Sequence, residues 1–147
     1  MAKNESAGFS DVEKSAIKDY AAERRERAKR KGPEGAALDL ADVLAAYDKM
    51  PTADRAIGLR IHELVLQTAP ELAAKTWYGM PAYALNGKVI CFFQSAGKFK
   101  VRYHTFGFTQ DAALDDGELW PTSYALLELT PKVEAELVRL IKQAVQV

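Results

Sequence analysis

Apolar positions along this chain follow two periods, and each predicts its own kind of element. In the N-terminal half they recur at helical spacing. Val12, Ala16, Ile17 and Tyr20 form one stripe, Leu40, Val43, Leu44 and Tyr47 a second, and Ile57, Ile61, Leu64 and Val65 a third. Leu59, His62 and Leu66 lie beside the third stripe, where a histidine is packed or on the surface rather than a ligand. Ser10 with Glu13 is a capping box, Asp39 reads as an N-cap with Asp42 in the first turn, and Thr52 opens a helix over about 53–68. The same spacing returns at the C-terminus. There Thr130-Pro131 starts a helix whose stripe is Val133, Leu137, Leu140, Ile141 and Ala144.

Between Lys75 and His104 the period changes to two. Asn86-Gly87 lies between apolar runs and predicts a two-residue hairpin, because both central residues of a type I′ turn need positive φ. With Leu85 opposite Lys88, Tyr83 pairs with Ile90, Ala82 with Cys91 and Pro81 with Phe92. Ser95 to Lys98 then predicts a second connection, placing Val101 opposite Phe92 and Tyr103 opposite Ile90. Alternation assigns Pro81, Tyr83, Ile90, Phe92, Val101 and Tyr103 to the core face. Ala82, Ala84, Cys91 and Phe93 go to a mixed face with Lys100, Arg102 and His104. Further on, a short helix from Thr109 to Leu114, a turn at Asp116-Gly117 and a strand over 124–129 are expected. The pattern as a whole is an α+β fold, an antiparallel meander of about four to six strands packed against helices.

Composition narrows the function. A chain of 147 residues, 48% hydrophobic, fits one core domain, here read as 37–147. Residues 1–36 read as a charged helical extension ending in a linker, Gly32-Pro33-Glu34-Gly35. Formal net charge is zero, so no overall field draws the chain to nucleic acid or a membrane surface. Six basic residues between Arg24 and Lys31 point around the helix rather than along one face, which reads as a solvated helix end. One cysteine excludes an internal disulfide framework. No apolar run is long enough for a signal peptide or membrane span, so a cytoplasmic protein is expected.

Candidate chemistry is sparse. The chain has no phosphate-binding glycine loop, nucleophile elbow or pair of histidines at helical spacing, which favours a non-catalytic role. Trp77, Tyr78, Met80 and Tyr83 are either core or an apolar ligand site, with Arg102 and His104 as its polar partners. Asp115, Asp116 and Glu118 are the densest acidic cluster and the candidate ligands for a hard cation. Cys91 is a small strand hydrophobe, or a reactive thiol if Arg102 lies across from it.

Trp77-Tyr78-Gly79-Met80-Pro81-Ala82-Tyr83, with Asn86-Gly87-Lys88 and Cys91-Phe92-Phe93 after it, resembles the YdhG-like small bacterial domains, domain-of-unknown-function family 1801. The helix ending at Ala69-Pro70 and the Thr130-Pro131 helix fit as well, so the resemblance spans about Asp39 to Ala144. It implies an α+β domain with an antiparallel sheet. Some members of that family are described as frataxin-like iron chaperones, which implies iron as a ligand and no required cofactor. A small ligand or a protein partner is expected, and the residues fix no oligomeric state.

Overall fold

A short helix, absent from the alternation pattern, interrupts the central meander and resets the strands after it. The computed structural model describes residues 10–146. Helices α1 (Asp11–Arg27), α2 (Gly32–Asp48) and α3 (Thr52–Thr68) precede strands β1 (Ala73–Trp77), β2 (Met80–Leu85) and β3 (Lys88–Gln94). Helix α4 (Ala96–Phe99) separates these from β4 (His104–Phe108) and β5 (Ser123–Leu126), and α5 (Pro131–Ala144) closes the chain. The fold is α+β, with an open antiparallel sheet in the order β1-β2-β3-β4-β5.

One face of that sheet builds the core. Tyr83, Cys91, Phe93, Phe106 and Phe108 meet Val43 and Tyr47 of α2, Ile61 and Val65 of α3, and the α5 stripe. Leu137, Leu140, Ile141 and Ala144 of α5 are all buried, as its spacing predicts. At roughly 1.5–3 kcal/mol for each large apolar side chain removed from water, such a stripe contributes several kcal/mol. By contrast, α1 has no fully buried residue. Polar contacts hold it instead.

Several expectations need correction. Ser95 to Lys98 is not a hairpin turn but the start of α4. The Ser95 hydroxyl accepts the Lys98 N–H and donates to Asp54, while Asp54 also accepts the Gly97 N–H. Lys100 ends that helix at φ 57°, so Phe99 to Tyr103 form no strand. The strand opposite β3 begins at His104, and Cys91 faces Phe108 rather than Arg102. Val101 and Tyr103 are therefore exposed, and the expected Lys100/Arg102/His104 sheet face does not form.

Register also shifts inside the first predicted hairpin. Leu85 pairs with Lys88 as expected, but a bulge makes Tyr83 pair with Cys91 and Ala82 with Phe92. The extra residue is Ile90, whose carbonyl accepts the Thr109 N–H. Phe92 consequently points away from the core and packs on Trp77. The expected linker at Gly32 to Gly35 is the first turn of α2, with Pro33 at a position where a missing N–H costs nothing. Asp39 and Asp42 thus sit inside α2, where both accept from Arg30, and Leu40 and Leu44 stay exposed. Residues 109–122 contain no helix; the Thr109 hydroxyl donates to the Val89 carbonyl and accepts the Asp111 N–H.

Candidate functional site

Trp77 pairs with Met80, leaving Tyr78 and Gly79 as a two-residue turn with φ 54° and 75°. Glycine adopts that conformation freely, but a tyrosine there carries strain of roughly 1–2 kcal/mol. Helix α1 supplies what holds it. The Glu23 carboxylate accepts both the Tyr78 and the Gly79 N–H at 2.9 Å. Arg27 donates to the Thr76 carbonyl at 2.6 Å, and the Tyr20 ring stacks on Tyr78 with centroids 4.1 Å apart. From the other side Lys98 donates to the Gly79 carbonyl at 2.7 Å. A side chain at position 79 would be strained at φ 75° and would push aside Asp19 and Lys98, its Cβ lying 2.6 Å from Asp19 Oδ2 and 3.1 Å from Lys98 Nζ.

These contacts leave α1 standing partly clear of the sheet, and three recesses adjoin along it. A groove of about 700 Å³ is lined by Val12, Ala16, Ile17, Tyr78, Met80 and Val101, among others. A smaller recess of about 180 Å³ shares Val12, Ala16, Tyr78 and Phe99 with that groove. It shares Asp19 and Lys98 with a polar cleft of about 290 Å³, whose walls include Glu23, Arg27, Arg30 and Lys49. The result is a trough, apolar at one end and charged at the other.

Burial governs the titration of the groups in it. Burial raises the Glu23 carboxyl above its ordinary value of 4.5, outweighing the Gly79 N–H, the Thr76 side chain, the Tyr78 N–H and Arg27. Burial likewise pushes Lys98 below the ordinary lysine value, and nearby Lys49 pushes the same way against Asp19 and Glu23.

Of the expected ligand residues, only Tyr78 and Met80 reach the trough. Trp77 packs edge-on to Tyr78 and against Phe92. Tyr83 is buried in the core, its hydroxyl 2.6 Å from that of Tyr47 and 2.9 Å from His62 Nδ1. Arg102 lies over the Tyr103 ring. His104 is buried and accepts the Ala96 N–H through Nδ1, so its 3.9 Å approach to Asp54 is not an ion pair. Cys91 is fully buried, and burial pushes its thiol far above the ordinary value, the opposite of what a nucleophile needs.

Asp115, Asp116 and Glu118 are exposed. Asp115 and Glu118 border a separate recess of about 470 Å³ beside Phe108, Leu119 and Trp120. Among the described residues, no group of three His, Cys, Asp or Glu side chains is arranged to hold a metal ion. No described helix is long and apolar enough to cross a membrane.

Asp19, Glu23 and Arg27, which the residue reading missed, were recoverable in part. They continue the Val12–Ala16 stripe, Asp19 three residues after Ala16 and the others at four-residue steps, onto one helix face. Lys98 carried no such signal. Its place depends on α4. Searches of family models, curated proteins and solved structures returned no match for this chain.

Proposed function

We propose that this chain is a binding module and that its site is the trough along α1 at the Tyr78–Gly79 turn. The observation that carries this is a helix with no fully buried residue, fixed across a strained turn by polar contacts, with adjoining recesses left open along it. A stable core needs no such arrangement, and the combined size suits a small molecule. The reading assigns no thiol chemistry to Cys91, whose thiol burial pushes far up.

An amide NMR titration with octanol tests it, the alcohol being a neutral apolar probe. Saturable shifts should centre on Val12, Tyr78, Met80 and Phe99. Ala16→Trp, which fills the groove from the half-buried side of α1, should abolish them. Shifts scattered over the molecule, or unaffected by that substitution, would sink the proposal. Ferrous iron belongs among the ligands tried, because the YdhG-like resemblance implies it. Line broadening confined to Asp115, Asp116 and Glu118 would move the site to the acidic loop.

A further inference from the structure

The open sheet has two edges, and they are finished differently. Along β1, α2 packs alongside, Ala74 is buried and the Thr76 carbonyl accepts from Arg27 at 2.6 Å. Along β5 the outer backbone groups are free. The Phe108 N–H donates to the Thr122 carbonyl at 2.7 Å, which fixes the alternation of the ladder. Thr122, Tyr124 and Leu126 bond to β4, while Ser123 and Ala125 turn their N–H and C=O groups outward. Both residues are exposed, and among the described residues no other segment hydrogen-bonds to them. The side chains around the strand are apolar as well. Leu119 is 90% exposed and Leu127 is 71% exposed, and no charged residue lies between them. Lysines or inward charges ordinarily guard an open edge, and here only Pro121 stands at its entry.

We infer that β5 pairs with β5 of a second copy of this chain, antiparallel about a twofold axis at Tyr124, joining the two sheets edge to edge. In that register Ser123 faces the partner's Ala125 and Ala125 faces the partner's Ser123. Four N–H···O bonds then satisfy every outward group of both strands. The strand suits its own copy. The half-buried Tyr124 rings meet across the axis as an aromatic cross-strand pair, and Leu127 is carried toward the partner's Pro121. No like charges meet, because Glu128 comes opposite Trp120 and the chain has no net charge. Since β1 is closed, β5 cannot add to it and build a filament, so the assembly ends at two copies. Pairing also stops after four bonds, because Pro121 has no N–H and Leu127 lies in a bend. So small an interface gives a weak dimer, dissociating at about 0.1 mM. It shares no residue with the walls of the α1 trough and does not depend on the reading given to them.

Sedimentation equilibrium from about 0.01 to about 1 mM chain, with amide hydrogen exchange at both ends of that range, tests the pairing. Wild type should pass from monomer to dimer and no further. The Ser123 and Ala125 amides should exchange about fourfold more slowly at the high end, the ratio of monomer fractions that a constant of about 0.1 mM gives. Tyr124 and Leu126 should be equally protected at both. Ala125→Pro removes one N–H per copy, and so two of the four bonds, and should raise the dissociation constant at least ~10-fold. Leu127→Glu, a change at an exposed side chain, should raise it several-fold and keeps the test decisive where the proline disturbs the strand. A chain still monomeric at about 1 mM overturns the inference and leaves the edge to a strand from another protein. A dimer whose Ser123 and Ala125 amides exchange as fast as in the monomer overturns it too, as does one that both variants leave at wild-type strength.

Discussion

Tyr47 of α2 is fully buried against α3, and Gly58 is the reason it fits. A Cβ at position 58 would lie 2.5 Å from Tyr47 Cε1 and 3.2 Å from the Phe93 ring. Tyr47 cannot withdraw, because it is fully buried and its hydroxyl is held by Tyr83. Gly58→Ala should therefore destabilise the protein by about 2–3 kcal/mol, the usual cost of overpacking a rigid core. Gly107 provides the contrast. A Cβ there would meet Phe92 Cζ at 2.3 Å, yet Phe92 is half-buried and its ring can turn outward. Urea midpoints should rank wild type above Gly107→Ala and Gly107→Ala above Gly58→Ala. The reverse order of the two variants would show that Tyr47 is free to move.

His62 adds a pH dependence at the same scale. Burial holds its imidazole below the ordinary value of 6.5, and the Glu63 charge only partly offsets this. A consistent hydrogen-bond assignment has Tyr47 donating to Tyr83 and Tyr83 donating to the neutral ring. The unfolded chain protonates His62 more readily than the folded one. Its contribution is thus complete above pH 6.5 and lost as pH falls through the depressed folded value. His62→Gln keeps an acceptor without the titration. Urea midpoints compared at about pH 7.5 and 5.5 should fall further for wild type than for the variant.

At the scale of elements, α1 is the part most exposed to a single change. Glu23→Ala strips the acceptor from two turn N–H groups and should cost about 1–2 kcal/mol, discounted because the site is half exposed. The loss should be local. Tyr78 and Gly79 amides should exchange about tenfold faster, while Phe93 and Phe106 in the core keep their protection. Glu23 also sets a direction with pH. Its docked carboxyl titrates above the ordinary 4.5, so the proton-dependent part of its contribution to docking is complete below that value and lost as pH rises through the raised one, while its bonds to the turn N–H groups remain. Glu23→Gln should remove the pH dependence of the Tyr20 and Tyr78 ring resonances.

The elements differ in how far they could be read from residues alone. The capping box of α1, the Asn86-Gly87 turn and the whole of α5 were legible, because each depends on residues a few positions apart. What escaped depends on partners far along the chain. Ser95 caps α4 with help from Asp54, 41 residues earlier. The Ile90 bulge is anchored by Thr109, and Lys98 joins the site only because α4 turns it toward Gly79. Alternation over Phe99 to Tyr103 is a sound local pattern that the α4 turn overrides.

At the scale of the molecule, the question is whether α1 belongs to the cooperative unit. The core cluster draws on α2, α3, α5 and the sheet, and none of its residues comes from α1. Arg60 of α3 and Glu134 of α5 add an ion pair between two of the core helices. What α1 contributes is one ring stack, the Glu23 clasp and the Arg27 bond to Thr76, all partly exposed and together worth a small fraction of a core helix. Deleting residues 1–28 keeps Arg30 with Asp39 and Asp42, so the start of α2 stays anchored. The shortened chain should retain its five-stranded sheet and a single cooperative urea transition, with a loss of unfolding free energy of no more than about 2 kcal/mol. It should also lose octanol binding altogether, since one wall of the trough leaves with the helix. A broad or multiphasic transition would place α1 inside the folding unit after all. Undiminished octanol binding would mean that the sheet and α4 form the site by themselves.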